Sequence, residues 1–451
     1  MLMNRLKSLM VGLPDDVERL VIYGDFSKAL ELIDLYMTRN IPQILKDRLS
    51  FEKDRIRRFK QDYIYSFHEA LSLAQSKIRD FTKEELEYLM DNRYADWIYV
   101  DGKVTFHKRF LQNSLRIHPT LKTRLIEPTE EEKSILDETI DEIMKKGEIK
   151  YHIHVKTGLK LKKEAARVGE KVLIHLPIPR KAQQVRNINI ISSSHKPKAI
   201  SHEEHPQRTI CFEEILKGED EFTVEYSYES HIRYRKLEED KVSKNQPTFY
   251  TEEYPPHIRF TPFLKELAKE IVGDETNPLI KARRIYDYIT KNVQYSYVRQ
   301  YAAITNIAEY AAYNLKGDCG IQAMLFITLS RIVGIPARWQ SGLVVNPNYI
   351  GCHDWAEFYI EPYGWLFADL SFGGGGLRNK NEKRWNFYFG HVDPFRMVAN
   401  SEFHYNFYPE KKFLRQDPYD NQEGEMEYED RPIFSDEYDV IQEIIEVRKI
   451  E

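Results

Sequence analysis

The chain has 451 residues, 42% hydrophobic and 13% aromatic, which suits two or three packed domains and excludes a disordered chain. Its formal charge of −5, from 66 basic and 71 acidic residues, provides no basic stripe for a nucleic-acid partner. Three cysteines, Cys211, Cys319 and Cys352, are too few and too scattered for a disulfide framework, so the expected setting is reducing and cytoplasmic.

In chain order, the first twenty residues carry an apolar run broken by Gly12, Pro14, Asp15 and Asp16, unlike a secretory signal. No later stretch has the roughly 20 apolar residues of a membrane helix, so no membrane partner is expected. Residues 1–147 read as a charged helical region. Leu30, Ile33 and Met37 recur at helical spacing near 25–37. A helix over 129–146 opens on a capping box, Thr129 with Glu132. It carries Ile135, Leu136, Ile140, Ile143 and Met144 on one face and stops at Gly147.

The period then drops to two. Ile149, Tyr151, Ile153 and Val155 alternate with polar residues, as do Phe222, Val224, Tyr226 and Tyr228. With the apolar stretches at 172–176, 185–191 and 208–215 between them, residues 148–237 form an antiparallel, sandwich-like β domain. His152 with His154, and His202 with His205, read as solvated β surface. No HExxH or paired CxxC accompanies them, so no metal is expected. A polar linker over 238–257 ends in Tyr-Pro-Pro-His. A domain over 258–400 opens with a helix capped by Thr261 and started by Pro262, then a second helix over 278–292. A C-terminal extension, 401–451, ends in an acidic tail from about Asp417 that reads as poorly ordered.

The chemistry concentrates after residue 316. In Lys316-Gly317-Asp318-Cys319-Gly320, Asp318 suits an N-cap and puts Cys319 in the first turn of a helix carrying Ile321, Leu325, Leu329 and Ile332. Free backbone amides there favour a thiolate and lower the thiol pKa. Taken alone, Cys319 reads more readily as a small buried cysteine that packs, because a free cysteine behaves as a small hydrophobe. The strand over 352–360 puts His353, Trp355, Glu357 and Tyr359 on one face. A second strand, 365–370, follows a turn with Pro362 and Gly364. If Ile360 pairs with Trp365, Asp369 points away from His353; if Tyr359 pairs with Trp365, both share a face. The second register is the expected one, with a loop over 360–364. Gly373 to Gly376 read as a flexible loop.

Gly317-Asp318-Cys319-Gly320, Gly334-Ile335-Pro336-Ala337-Arg338, His353-Asp354-Trp355-Ala356-Glu357, Gly364-Trp365 and Ala368-Asp369 resemble the core of the transglutaminase-like superfamily, in the family order Cys, His, Asp. The upstream Leu176-Pro177-Ile178-Pro179 and Gln184 resemble the β domain that precedes this core in bacterial members. The resemblance implies an α+β multidomain chain. Its papain-like core has a helix packed on an antiparallel sheet, preceded by a β-sandwich-like domain and an N-terminal helical region. It implies Cys319 as nucleophile, His353 as base and Asp369 as the residue that orients the imidazole, without a cofactor.

The family places a side-chain oxyanion donor upstream of the cysteine, where Tyr297 or Gln300 fits. Many members carry an aromatic residue where this sequence has Gly320, which leaves the groove more open. Trp355 and Trp365 line that groove or pack on the central helix. The expected function is a cysteine acyl-transfer enzyme acting on peptide or side-chain amides through a thioester. Its partner is a peptide or protein, and hydrolysis stands ahead of protein-glutamine cross-linking. The competing reading is a non-catalytic protein-binding module on the same scaffold, whose hallmark, a lost triad residue, is not seen.

Overall fold

The switch of periodicity near residue 147 is also where the architecture changes. In the computed structural model, which describes residues 6–127, 135–218, 220–416 and 419–451, helices dominate up to Lys146. The long helix α1 (Gln43–Asp62) buries Leu49, Ile56 and Phe59 together with Arg48, Arg55 and Arg58. Buried cations are tolerated only when paired. Glu52 supplies this, 2.6 Å from both Arg48 and Arg55.

The region is not purely helical. Strands Trp97–Val100 and Lys103–His107 form a hairpin that Tyr63–Ser66 extends. Asp101 and Gly102 both take positive φ at its two-residue turn, the conformation for which Asp-Gly is the usual sequence signal. Helix α2 (Phe110–Ile117) follows. The helix expected over 129–146 is present as α3 (Ile135–Lys146), ended by Gly147 at φ 81°. Its proposed capping pair, Thr129 and Glu132, lies outside the described residues.

The β domain is a two-sheet sandwich. Strands β1 (Glu148–Leu161), β2 (Lys171–Pro177), β3 (Val185–Ser193), β4 (Thr209–Ile215) and β5 (Glu221–Arg233) supply most of it. The acidic segment read as a poorly ordered tail instead completes both sheets. One runs Pro432–Ile433, then Glu425–Tyr428, β2, β4 and Ala199–Ile200; the other runs Tyr438–Ile450, β1, β5, β3. Strand Tyr438–Ile450 pairs with β1 from Leu161 back to Lys150. The acids obscured this because charge on the outward face is compatible with a strand whose other face is buried. Glu425 itself is buried and is the anion for two buried cations, Lys411 at 2.6 Å and Arg415 at 2.5 Å.

After helices α4 (Pro262–Val272) and α5 (Pro278–Asn292) comes the helix that organises the third unit, α6 (Cys319–Ile332). Every residue from Gly320 to Arg331 is buried. A helix apolar on most sides belongs inside a protein, and α6 lies against a five-stranded antiparallel sheet. That sheet comprises β6 (Ala337–Asn346), β7 (Tyr349–Ile360), β8 (Gly364–Ala368), β9 (Phe389–Gly390) and β10 (Arg396–Asn400), in the order β9-β8-β7-β6-β10. Helix α7 (Leu370–Arg378) lies between β8 and β9 in sequence. On one sheet face Ala356, Phe358 and Ile360 join α6 in a shared core. On the other, Trp355, Phe367, Leu343 and Val345 share a core with β1, β2, β4 and β5. The sheet is therefore the middle layer between α6 and the β domain.

The hairpin register is the expected one, with Tyr359 opposite Trp365 and Ala356 opposite Ala368. Ile360 also pairs with Gly364, so the loop is three residues rather than five. The glycine run is not a loop. Gly373 and Gly376 lie in α7, where a Cβ would come within 1.7 Å of the Tyr286 hydroxyl and 2.8 Å of the Trp385 nitrogen. Glycine is used there for close packing.

Candidate active site

Asp318 caps α6 as expected, its carboxylate accepting from the Ile321 amide at 3.1 Å. Cys319 is therefore the first residue of the helix. The register of β7 against β8 brings His353 and Asp369 together. His353 Nε2 is 2.8 Å from Asp369 Oδ2, and both side chains are almost wholly shielded from solvent. Asp369 Oδ1 also accepts from the Phe372 amide at 2.9 Å, so the same carboxylate caps α7. A second cation, Arg396 on β10, lies 2.8 Å from Asp369 and is itself fully buried. Burial works to raise the pKa of Asp369, but His353 and then Arg396 outweigh it and hold it well below the usual carboxylate range. Asp393 shares Arg396 at 2.5 Å. Phe372 packs on the His353 ring with centroids 4.5 Å apart. His353 Nδ1 has no hydrogen-bond partner among the described residues.

The thiol departs from expectation. Cys319 Sγ donates to Asp354 Oδ2 at 3.2 Å rather than to the imidazole. Its pKa stands well above the ordinary thiol value, first through burial and then through Asp354 and Asp318. The helix start does not lower it, because the capping amide is already taken by Asp318 and two carboxyls lie beside the sulfur. These acids are themselves pushed toward the neutral form. Burial raises Asp318 to about 6. Burial and then Asp420 raise Asp354 well above the carboxylate range. Gln422 bridges the group, its Nε2 donating to Asp354 Oδ1, to Asp420 Oδ2 at 3.1 Å and to the His353 carbonyl at 3.2 Å.

The space beside Gly320 is also not open. A Cβ there would stand 2.3 Å from the Tyr301 hydroxyl and 2.8 Å from Asp354 Oδ2. That hydroxyl donates to Asp318 Oδ1 at 2.6 Å. Tyr301 and Asp354 together close the space beside Gly320.

Trp355 does not line a groove. It is fully buried against the β domain, its Nε1 donating to Gln340 Oε1 at 2.7 Å. Its strand face is the expected one, but the sandwich covers that face at Trp355 and at Glu357, which accepts from Gln183 at 2.7 Å. Trp365 packs under the Arg338 guanidinium, 3.8 Å from its ring centre. Gln300 is held by the N-terminal region, its backbone N–H donating to Asp62 and its side-chain oxygen accepting from Arg58. Tyr297 lines a cavity of about 360 Å³ together with His353, Cys352, Tyr295 and Tyr349. Its oxygen accepts from Arg116 at 3.1 Å, which leaves its O–H free to donate. Tyr295 is a further candidate donor that the sequence reading passed over. Burial and then the Cys319 sulfur raise its pKa well above the phenol range.

The cysteines differ sharply. Cys211 is fully buried in β4 and pushed by burial up to about 12. Cys352 lines the cavity and donates to Glu423 at 3.6 Å. All three are unpaired. Among the described residues no His, Cys, Asp and Glu group has the arrangement of a metal site, and no helix is long and apolar enough to cross a membrane.

The N-terminal region forms one wall of the site. Asn113 exchanges two hydrogen bonds with the Tyr297 backbone, at 2.9 and 2.8 Å, and Arg55 donates to the Ala302 and Ala303 carbonyls.

Comparison with known proteins agrees with the sequence motifs. Residues 265–370 match the family profile of the transglutaminase-like superfamily, a segment that contains Cys319, His353 and Asp369. A Haemophilus influenzae protein of uncharacterised function is 29% identical over 137 residues, 25% of this chain and 37% of that protein. The chain thus spans little more than a third of that relative. Among solved structures, a candidate cysteine protease of Cytophaga hutchinsonii is similar with a TM-score of 0.44 and 15% identity, over 67% of this chain and 91% of the other. The periplasmic domain of TgpA from Pseudomonas aeruginosa gives a TM-score of 0.29 and 14% identity, over 55% and 95%. Residues 265–370 of this chain therefore match the core of the transglutaminase-like superfamily.

Proposed function

We propose that this chain is a cysteine acyl-transfer enzyme that cleaves peptide or side-chain amides through a thioester. Cys319 is the nucleophile, His353 its base, and Asp369 orients the imidazole. The observation that carries this reading is the 2.8 Å bond from His353 Nε2 to Asp369, which leaves Nδ1 without a partner among the described residues. A base held by a third group in this way is the arrangement that activates a nucleophile.

In the reaction the thiol proton leaves the Asp354 hydrogen bond for His353 Nδ1, and sulfur attacks the amide carbon. The C–N bond breaks as the imidazolium protonates the departing amine. Water, deprotonated by the same nitrogen, then releases the acid. The Cys319 amide and the Tyr297 hydroxyl serve the oxyanion. Water needs no second substrate site, so hydrolysis stands ahead of amine transfer. The substrate is a peptide or protein, and the three unpaired cysteines suit a reducing, cytoplasmic compartment.

Incubation with a peptide library, acid quench and mass spectrometry tests this. An acyl adduct on Cys319, absent in His353→Ala, is the expected outcome, and a primary amine added to the mixture separates cross-linking from hydrolysis. One observation favours the other reading, a non-catalytic binding module: the sulfur bonds Asp354 rather than the imidazole. The absence of an adduct at any pH where the thiol ionises would select it.

A further inference from the structure

The cavity over His353 has an unbalanced charge. Its walls include Arg116 from α2, Arg378 from α7 and Arg384, and no carboxylate of the described residues lines it. Nearby acids are otherwise engaged. Asp137 takes Arg384 at 2.8 Å, Asp369 is shared by His353 and Arg396, and burial raises the pKa of Glu423 behind Cys352. Arg116 and Arg378 have no ion-pair partner among the described residues. Arg116 is set in place by aromatic rings, standing 5.0 Å from the centres of both Tyr295 and Tyr297 while donating to the Tyr297 hydroxyl. Its charge reaches Arg378: burial first, and then Arg116, lowers the Arg378 pKa.

Two guanidiniums that repel each other across a cavity are a cost to the free protein. A bound anion removes that cost, and planar guanidinium forks match a carboxylate in geometry. At about 360 Å³ the space suits one or two peptide residues. We infer that this cavity is a substrate subsite for a carboxylate, and that Arg116 and Arg378 select peptides that carry one next to the scissile amide. The inference rests on the proposed thiol chemistry for its role in turnover, but the cavity's preference for carboxylates can be measured without it.

Cys352, which lines the cavity, supplies that measurement through its alkylation by iodoacetate and iodoacetamide, followed by peptide mass spectrometry. The expected iodoacetate-to-iodoacetamide rate ratio exceeds that of N-acetylcysteine amide by about tenfold, as steering by paired charges allows. It falls to the free-thiol ratio in Arg116→Gln/Arg378→Gln, and Arg378→Lys in place of Arg378→Gln restores part of it. N-acetylglutamic acid α-amide, with a side-chain carboxylate, or N-acetylglycine, with a terminal one, should protect Cys352, and whichever protects better identifies the source. A ratio at or below that of the free thiol, or protection by N-acetylglutamine α-amide equal to that of the acids, overturns the carboxylate subsite. Failure of Cys319 to acylate, with the Cys352 ratio still high, overturns the enzyme reading alone.

Discussion

Cys319 Sγ and Asp354 Oδ2 lie 3.2 Å apart, so the thiol proton is held by a carboxyl on the strand face opposite His353. Asp354→Asn removes the negative charge that forms near the sulfur as the pH rises. The pH midpoint for alkylation of Cys319 should therefore move down by about one unit. Rates measured from pH 6 to 10 check this, and an unchanged midpoint would show that the acid does not hold the thiol proton.

Asp369 has three tasks: it bonds His353, caps α7 and neutralises Arg396. Asp369→Ala should therefore cost more than orientation of a base. Leaving Arg396 buried with Asp393 alone is expected to lower stability by about 3 kcal/mol, the lower end for a broken buried pair. Urea unfolding of Asp369→Ala and Asp369→Asn checks it. The asparagine variant, which keeps the cap, should lose less stability while its kcat still falls.

Gly320→Ala drives a methyl into the Tyr301 hydroxyl and Asp354. The expected loss is about 1–3 kcal/mol, as for other overpacked cores. Tyr301→Phe removes the clashing oxygen, so the double variant should be less destabilised than the sum of the two singles. Additive losses in a thermal-unfolding cycle would refute the clash.

Acid stability should depend on Glu425. Burial works to raise its pKa, but Arg415 and Lys411 outweigh it and hold the carboxyl at about 2, against an ordinary 4.5. A lowered native pKa means that the unfolded chain binds the extra proton. The stabilisation is complete above pH 4.5 and is lost as the pH falls toward 2. Glu425→Gln should lower the Tm at neutral pH and flatten its decline across that window, as scanning calorimetry would register.

The sequence made the His353–Asp369 meeting legible because it depends on parity along two adjacent strands, and one register alone puts both on a face. Its limits lay in contacts between distant segments. Arg396, Asp420 and Gln422 reach the site from 25 or more residues away, and no local pattern marks them. Gly320 was legible as a departure, but not as a position where Tyr301 and Asp354 leave no space for a Cβ. The strand of Tyr438–Ile450 was hidden by its acids, although apolar residues recur through it. Trp355 shows the remaining difficulty: period two assigns a face, and only the packing of the β domain decides whether that face is wet.

The Gln422 bridge has a consequence for biosynthesis. Cys319 is synthesised 103 residues ahead of Gln422, the side chain that ties Asp354 to the His353 carbonyl, and the strand that pairs with β1 comes later still. A nascent chain that already displays Cys319 and His353 still lacks the partners of Asp354 and one edge of its sandwich. The acid beside the thiol then stands in water rather than in its buried group. Maturation of the thiol's proton affinity is thereby tied to completion of a different domain, and a growing chain cannot present the finished site to its neighbours.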